Sequence, residues 1–163
     1  MNKLLNVKNL IEKKGLILKI QIRRFWGLSF FRIIIAELIT PDRIQIWGEI
    51  KGWNYPRKTG LQLDTMRVMK NAPSGVGMMI WASVAAWTLT ETSSKEARLL
   101  AIYDNEGSNQ KLTRYFRKTG FVKIKEVGST PSDLFLRIVW GGAGTLMKGS
   151  CDQIYQDSIK NII

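Results

Sequence analysis

The chain has 163 residues, of which 45% are apolar and 23% charged, and its formal net charge is +12. This composition is typical of one globular domain and excludes collagen-like and low-complexity chains. There is no histidine and a single cysteine, Cys151. His-based triads, His-ligated metal sites and an internal disulfide are therefore excluded, and we expect no metal site and a reducing compartment.

The positive charge is concentrated in the first part of the chain. Residues 1–60 hold 12 Lys/Arg against 4 Asp/Glu, whereas residues 61–163 hold 13 against 9. Such an excess predicts an anionic partner, for example nucleic acid, a lipid headgroup or a phosphorylated cofactor. The alternative is composition bias, because heavy use of Lys, Ile and Asn also follows from an AT-rich genome.

Two further features bear on membranes. No uncharged apolar run reaches the roughly 18 residues that a membrane-spanning helix requires. The first residues lack the apolar stretch and small-residue cleavage site of a signal peptide. We therefore expect a protein that is neither secreted nor integral to a membrane.

The first 69 residues predict a helix followed by a meander of strands. Apolar positions within 2–14 fall on one side of a short basic helix, which Gly15 ends; this amphipathic segment (1–15) packs on its own sheet or lies on a membrane surface. Alternation of apolar and polar residues then predicts three strands, and a β-branched, apolar run at 30–38 predicts a buried one. They lie at 16–25, 30–38, 43–53 and 61–69, with a loop at 54–60.

The remainder predicts helices alternating with strands. Residues 76–90 read as a buried helix and 109–119 as an amphipathic helix ended by Gly120. Strands are predicted at 97–104, 121–127 and 134–140, the last broken by a bulge or hairpin corner at Gly141-Gly142 and resumed at 143–147. The tail 151–163 is predicted to form a short helix. We expect one domain over 1–163, with β-α-β-α-β-β as its second part.

Gly75-Val76-Gly77 lies between a predicted strand and a predicted helix. A helix N-terminus presents unpaired N–H groups and a positive dipole end, and glycines allow a phosphate to approach the backbone. The sequence is neither a Walker loop nor a Rossmann fingerprint. A phosphate-binding loop and a tight corner into a buried helix are both consistent with it.

Two segments together carry a family resemblance. VMKNAPSGVGMMI (68–80) and NQKLTRYFRKTGF (109–121) resemble the GNAT superfamily of acetyl-CoA-dependent N-acetyltransferases. In that family a loop of form Q/R-x-x-G-x-G/A binds the pyrophosphate of acetyl-CoA; here Gly75 and Gly77 match and Ala72 replaces the leading Gln/Arg. The resemblance covers 60–140 by motif and 16–60 by strand pattern. It implies an α/β (α+β) fold with a mixed, largely antiparallel central sheet flanked by helices.

The resemblance also implies a chemistry. Acetyl-CoA would donate its acetyl group to an amine acceptor such as a protein lysine or N-terminus, and a backbone N–H between Val68 and Lys70 would polarise the acetyl carbonyl. Asn109 falls where the family's Asn contacts the pantetheine arm. The residues implied to bind acetyl-CoA are Val68, Lys70, Ser74, Gly75, Val76, Gly77, Asn109 and Phe116.

The implied catalytic residues depart from the family pattern. The family often has a tyrosine as general acid where this chain has Phe116. Tyr115 is adjacent, but one residue turns a helical side chain by about 100°, so we expect it to face elsewhere. Water or Tyr103 is left as the proton donor. Glu49 and Asp64 are the candidate general bases, with solvated strand positions as the alternative reading, and a base needs a pKa raised by burial.

The family usually inserts two helices between its first two strands, forming one wall of the acceptor site, and the few residues between 25 and 31 cannot supply them. Either the site is open to a large protein substrate or it has been lost. The competing function is a non-catalytic GNAT-like binding or assembly module whose basic surface binds an acidic protein, RNA or a membrane. The AT-rich bias and a resemblance to small GNAT-like proteins of cyanobacteria and algal plastids indicate cyanobacterial cytoplasm or plastid stroma.

Overall fold

A computed structural model describes residues 2–104 and 106–163 of the chain. Most predicted elements are confirmed to within two residues at each end. The elements in chain order are α1 (Lys3–Lys13), β1 (Ile17–Phe25), β2 (Leu28–Thr40), β3 (Arg43–Asn54), β4 (Leu61–Val68), α2 (Val76–Glu91), β5 (Glu96–Ile102), α3 (Gln110–Lys118), β6 (Val122–Val127), α4 (Leu134–Trp140), β7 (Gly144–Ser150) and α5 (Cys151–Ile162).

The seven strands form one sheet in the order β1-β2-β3-β4-β5-β7-β6. Every neighbouring pair is antiparallel except β4 and β5, which are parallel because helix α2 carries the chain back across the sheet. The predicted fold class, a mixed and largely antiparallel sheet flanked by helices, is confirmed. Within the described residues, no helix combines the length and apolarity needed to cross a bilayer.

The predicted strand at 134–140 is wrong, because these residues form helix α4. Seven mostly apolar residues fit a short strand and a two-turn helix equally well, so periodicity could not separate them. Trp140 and Leu136, four residues apart, pack on the sheet beside Trp53. Gly141 has a φ of +74° and ends the helix as its C-cap, so the glycine pair is neither a bulge nor a hairpin corner.

A short turn holds the start of α4 in place. The Asp133 carboxylate accepts hydrogen bonds from Lys125 Nζ (2.8 Å), the Gly128 N–H (3.0 Å) and Thr130 Oγ1 (2.9 Å). These donors, Lys125 foremost, lower the pKa of Asp133 to about 2. The carboxylate therefore stays ionised and ties the helix to β6 at all ordinary pH values.

The sheet is covered unequally on its two faces. Helices α1, α2 and α5 cover one face over the main core, which includes Ile33, Ile50, Trp81 and Met147. On the other face α4 packs over β5, β7 and β6 and reaches Trp53 at the end of β3, above a small cluster formed by Leu100, Val127, Trp140 and Leu146. Most of the β1–β4 half of that second face, which we call the open face, has no helix over it within the described residues.

Strands β3 and β4 approach closely at Gly52. A Cβ added at this residue would overlap the carbonyl oxygen of Gln62 on β4 and crowd the ring of Phe31. The approach is possible because glycine has no side chain, and it accompanies a shift in the β3–β4 register at this position.

Gly52→Ala is therefore expected to lower the free energy of unfolding by more than about 3 kcal/mol, since backbone has to move. Gly142→Ala is the matched control, because the added Cβ would lie 3.6 Å from Ile102 Cγ2, an ordinary contact. Its effect should stay within about 0.5 kcal/mol. Urea denaturation of both variants measures the difference, and equal stabilities would contradict the close approach.

Candidate functional site

Strands β4 and β5 pair over only three residues and then separate. The parallel ladder runs from Leu61 opposite Ala97 to Leu63 opposite Leu99. β4 continues to Val68 and β5 to Ile102 without further pairing. The two strands therefore leave a gap, the β4–β5 split, which opens toward their carboxyl ends.

A β-bulge lies where the split begins. Thr65 pairs with Lys51 and Leu63 with Gly52, so Asp64 is an extra residue with no partner on β3. A bulge bends its strand and increases the local twist, which turns β4 away from β5. Asp64 is thereby placed at the edge of the split.

The sequence of β4 contains a signal for this bulge, although the general alternation of apolar and polar residues along the strand hides it. Leu61 and Leu63 face the main core from odd positions, whereas Met66 faces it from an even position. Two polar residues, Asp64 and Thr65, separate them. Such a change of phase inside one strand indicates an inserted residue, because side chains otherwise alternate with a period of two.

The end of β4 directs one backbone donor into the split. The Met69 N–H donates to the Trp47 carbonyl on the β3 side (2.8 Å). Because successive backbone groups of a strand point in opposite directions, the Val68 N–H points toward the split. A backbone N–H that polarises the acetyl carbonyl has to point in this direction. Lys70 lies exposed in the turn that follows the strand.

Helix α2 begins beside the mouth of the split. Gly75 is its N-cap with a φ of +88°, and the first helical hydrogen bond joins the Met79 N–H to the Gly75 carbonyl (2.9 Å). Among the described residues, the N–H groups of Gly77 and Met78 have no hydrogen-bond partner, and no side chain caps the helix. Unpaired donors and the positive dipole end together suit an anion.

The other residues of this loop are placed unequally for contact with a ligand. Ser74 is exposed beside the N-cap, whereas the side chain of Val76 is buried in the main core. Val76 can therefore offer a ligand only its backbone, and its N–H already makes a long bond to the Pro73 carbonyl (3.4 Å).

The split encloses a cavity of about 40 Å³. From the helix-covered side it is lined by Trp81 and Phe116, and from β4 by Asp64, Thr65 and Met66. This is room for about one water molecule, so a longer group enters only if side chains at the mouth move. The cavity nevertheless joins the helix side of the sheet to Asp64.

Tyr115 does not line the split cavity as Phe116 does, but its hydroxyl reaches helix α2 beside the mouth of the split. Its hydroxyl accepts a hydrogen bond from Trp81 Nε1 (2.8 Å) and lies 3.9 Å from the place where a Cβ on Gly77 would be. Phe116 packs edge-on against both Trp81 and Phe121. A turn of about 100° leaves both side chains within reach of α2, because a tyrosine ring is long. Since the hydroxyl accepts from Trp81, its own proton remains to be donated.

Tyr103, the other candidate proton donor, points away from the split. Its hydroxyl donates to the Glu126 carboxylate on β6, across β7. That hydrogen bond, together with burial, raises the pKa of Tyr103. The Tyr103 proton is therefore held at the opposite edge of the sheet.

Glu49 does not have the property that a general base requires. Its carboxylate accepts from Arg32 Nε (2.6 Å) and lies 3.3 Å from Lys51 Nζ, with only 13% of its side chain exposed. Burial acts to raise the pKa of Glu49, but the hydrogen bonds from Arg32 and Lys51 outweigh it and the pKa is lowered. Glu49 is thus held ionised as the partner of two cations.

Asp64 is placed differently from Glu49. It is exposed, accepts a hydrogen bond from Thr65 Oγ1 (3.1 Å), and lines both the split cavity and a larger cleft on the open face. Of the two proposed bases, it is the one that the structure brings to the split.

The side chain of Asn109 makes two hydrogen bonds within the chain. Its side-chain nitrogen donates to the Ala101 carbonyl (2.7 Å) and to Thr145 Oγ1 (2.8 Å), which ties the start of α3 to β5 and β7. Both N–H donors are therefore engaged within the chain, and only the side-chain oxygen is left to contact a ligand.

The ion pair of Glu49 can be tested directly. Arg32→Gln should raise the pKa of Glu49, because burial then meets less opposition, and a ¹³C titration of the carboxyl group measures it. Lys19→Gln is the control, since Lys19 is an exposed residue of β1 that faces the same side of the sheet. An unchanged pKa in Arg32→Gln would show that the pair does not form in solution.

Comparison with known proteins gives matches only at the level of structure. No protein-family model and no curated protein matches the chain. A spermidine N-acetyltransferase chimera from Vibrio cholerae and hSSAT aligns with a TM-score of 0.51 and 11% identity, over 77% of this chain and 69% of that one. A nourseothricin acetyltransferase gives a TM-score of 0.52 and 13% identity, over 84% and 88%.

A third match is FdhC in its apo form, described as a nucleotide-linked sugar GNAT, with a TM-score of 0.53 and 11% identity over 96% of this chain and 68% of that one. Likeness at this level of identity establishes the fold alone. The chain has the mixed α/β fold of the GNAT acetyltransferases.

Proposed function

We propose that the protein binds acetyl-CoA and transfers its acetyl group to an amine. The observation that carries this proposal is the β4–β5 split, whose cavity is lined by Trp81 and Phe116 from the helix side and by Asp64 from the open face. A direct transfer requires a donor and an acceptor that meet, and the split lets ligands on opposite faces of the sheet do so. The three structural matches, all named as acetyltransferases or a GNAT, support the donor.

The loop before α2 fits the pyrophosphate of acetyl-CoA. The N–H groups of Gly77 and Met78 lie at the helix end and pair with no described residue. Gly77 also has no internal reason to be glycine, since its φ is ordinary and a Cβ would lie no closer than 3.9 Å to any neighbour. A small residue there instead serves approach from outside the protein.

Entry of the pantetheine arm requires the split to widen. Met66 is the side chain that can move to widen it, because methionine is flexible. Its Cε lies at the mouth, 3.9 Å from where a Cβ on Gly77 would be. The Val68 N–H then faces the place where the acetyl carbonyl would lie and stabilises negative charge that develops on its oxygen.

Acetyl-CoA supplies an activated acyl group as a thioester. This chain's residues position the acceptor amine, take up its proton and return a proton to the leaving sulfur. Asp64 is the carboxylate at the split that can hold the amine and accept its proton. Tyr115 is the proton donor, because its oxygen is held by Trp81 and its own proton is donated to no described residue.

Binding is tested by calorimetric titration of acetyl-CoA and CoA into the wild type, Gly77→Ala and Gly77→Val. We expect the wild type and the alanine variant to bind, because the family loop accepts alanine there. Valine should weaken binding at least about tenfold, since its branched side chain covers donors worth roughly 1.5–3 kcal/mol. Thermal unfolding should change little, because valine is no worse than glycine in a helix.

Two results would count against this. Equal affinities in all three proteins would place the ligand elsewhere. No binding of either ligand at millimolar concentration would overturn the transferase function and favour the non-catalytic module. RNA binding that weakens steeply with salt would then identify its partner.

The proton donor is tested with Tyr115→Phe, which should lower kcat about a hundredfold with little change in KM for acetyl-CoA. The measurement is release of free thiol with the best amine of a panel of small amines and a lysine-containing peptide. Cys151 should not contribute, because burial raises the pKa of its thiol to about 12. Tyr103→Phe is the matched control and should leave kcat unchanged; equal losses in both variants would remove Tyr115 from this role.

A further inference from the structure

The open face carries a cleft of about 660 Å³, which we call the open-face cleft. Its floor is formed by neighbouring residues of β1, β2 and β3, among them Arg32 and Lys51. Phe30 and Trp53 also line it, and Val139 of α4 adds an apolar contact from outside the four strands. This volume suits a small organic molecule.

The cleft has positive charge on β1, β2 and β3 and negative charge on β4. Arg32 and Lys51 share the single negative charge of Glu49, which lies mostly buried beneath them. Arg23 adds a further cation on the β1 side. Asp64 is the one carboxylate among the lining residues, and it stands on β4 at the split.

The distance between the two charges follows from the strand register. Arg32 is opposite Lys51, and Lys51 is opposite Thr65, the neighbour of Asp64. Adjacent strands lie about 4.8 Å apart, so the backbone positions of Lys51 and Arg32 are one and two strand spacings, roughly 5–10 Å, from β4. A molecule with an amine at one end and an acid group at the other spans this distance.

We infer that the acceptor is a small molecule carrying both a primary amine and an acid group, either a carboxylate or a phosphate. The inference rests on the proposed acetyl transfer. The amine lies at Asp64, beside the split, and the acid group lies on Arg32, Lys51 and Arg23. Phe30 and Trp53, the next cross-strand pair on this face of β2 and β3, contact the carbon skeleton from one side.

The alternatives fit this cleft less well. A polyamine would bring cations onto Arg23, Arg32 and Lys51, which repel them. A protein lysine brings no acid group at a fixed distance from its amine. Acetyl transfer forms the amide N–C bond and breaks the thioester C–S bond; the amine proton goes to Asp64, the sulfur takes one from Tyr115, and the acid group is unchanged.

The test compares rates of acetyl transfer among defined amines. The panel is glucosamine 6-phosphate, glucosamine, 4-aminobutyrate, butylamine, spermidine and a lysine-containing peptide. We expect kcat/KM to be at least about tenfold higher for an acid-bearing amine than for its counterpart without the acid. The first and third compounds distinguish phosphate from carboxylate.

Variants locate the acid group. Arg32→Gln and Lys51→Gln should each lower kcat/KM for the preferred acidic amine about tenfold and leave its neutral counterpart unchanged. Lys19→Gln, on the same face but outside the cleft, should change neither. Because Arg32→Gln removes a partner of Glu49, thermal unfolding and acetyl-CoA affinity are measured for each variant to separate a loss of stability from a loss of substrate binding.

The failures are distinguishable. If acetyl-CoA binds and a neutral amine, spermidine or the peptide is preferred, the acceptor inference is overturned while the proposed transfer stands. Equal losses for acidic and neutral amines in Arg32→Gln would also overturn it. If acetyl-CoA does not bind, the proposed function falls and the inference falls with it.

Discussion

The interruption of pairing between β4 and β5 is the constraint on which the candidate site depends. A continuous parallel ladder would consume the backbone donors of both strands and leave no passage through the sheet. The bulge at Asp64, next to the close approach at Gly52, turns β4 aside after three paired residues. One extra residue therefore provides a gap, a carboxylate at its edge and a free donor at Val68.

The split matters because each face of the sheet offers something different. The helix-covered face presents the unpaired N–H groups at the start of α2 and the Tyr115 hydroxyl. The open face presents a charged cleft that α4 walls at Val139. Neither face alone holds the parts of a transfer reaction, and the cavity between β4 and β5 is where they meet.

How far the sequence predicts this arrangement depends on the length of each pattern. Strands β1 and β3 alternate over 9 and 12 residues, which identifies them as strands. Helix α2 is apolar on all sides over 16 residues, so its length rather than its periodicity indicates a buried helix. Helix α4 has seven residues, too few to separate the two periods. The spacing of Gly75 and Gly77 within a motif predicts their place in a phosphate-binding loop. The change of phase around Asp64 indicates the bulge.

Other features of the site depend on tertiary contacts that no local pattern contains. The pKa of Glu49 is set by Arg32, which lies 17 residues earlier and is adjacent only through the strand register. The orientation of Tyr115 depends on how closely α3 lies to α2, since helical rotation gives a direction but not a neighbour. Asn109 is likewise engaged by β5 and β7.

The contrast between the two carboxylates of the open face explains why their roles differ. Glu49 is covered and holds Arg32 and Lys51 in fixed places, so it acts as a positioning residue for the cations rather than as a base. Without it the two cations would repel each other and spread into solvent. Asp64 lies one strand away, at the bulge beside the split, and forms no ion pair with any described residue. A fixed cationic centre and a free carboxylate at a set separation are what selection of an acidic amine requires.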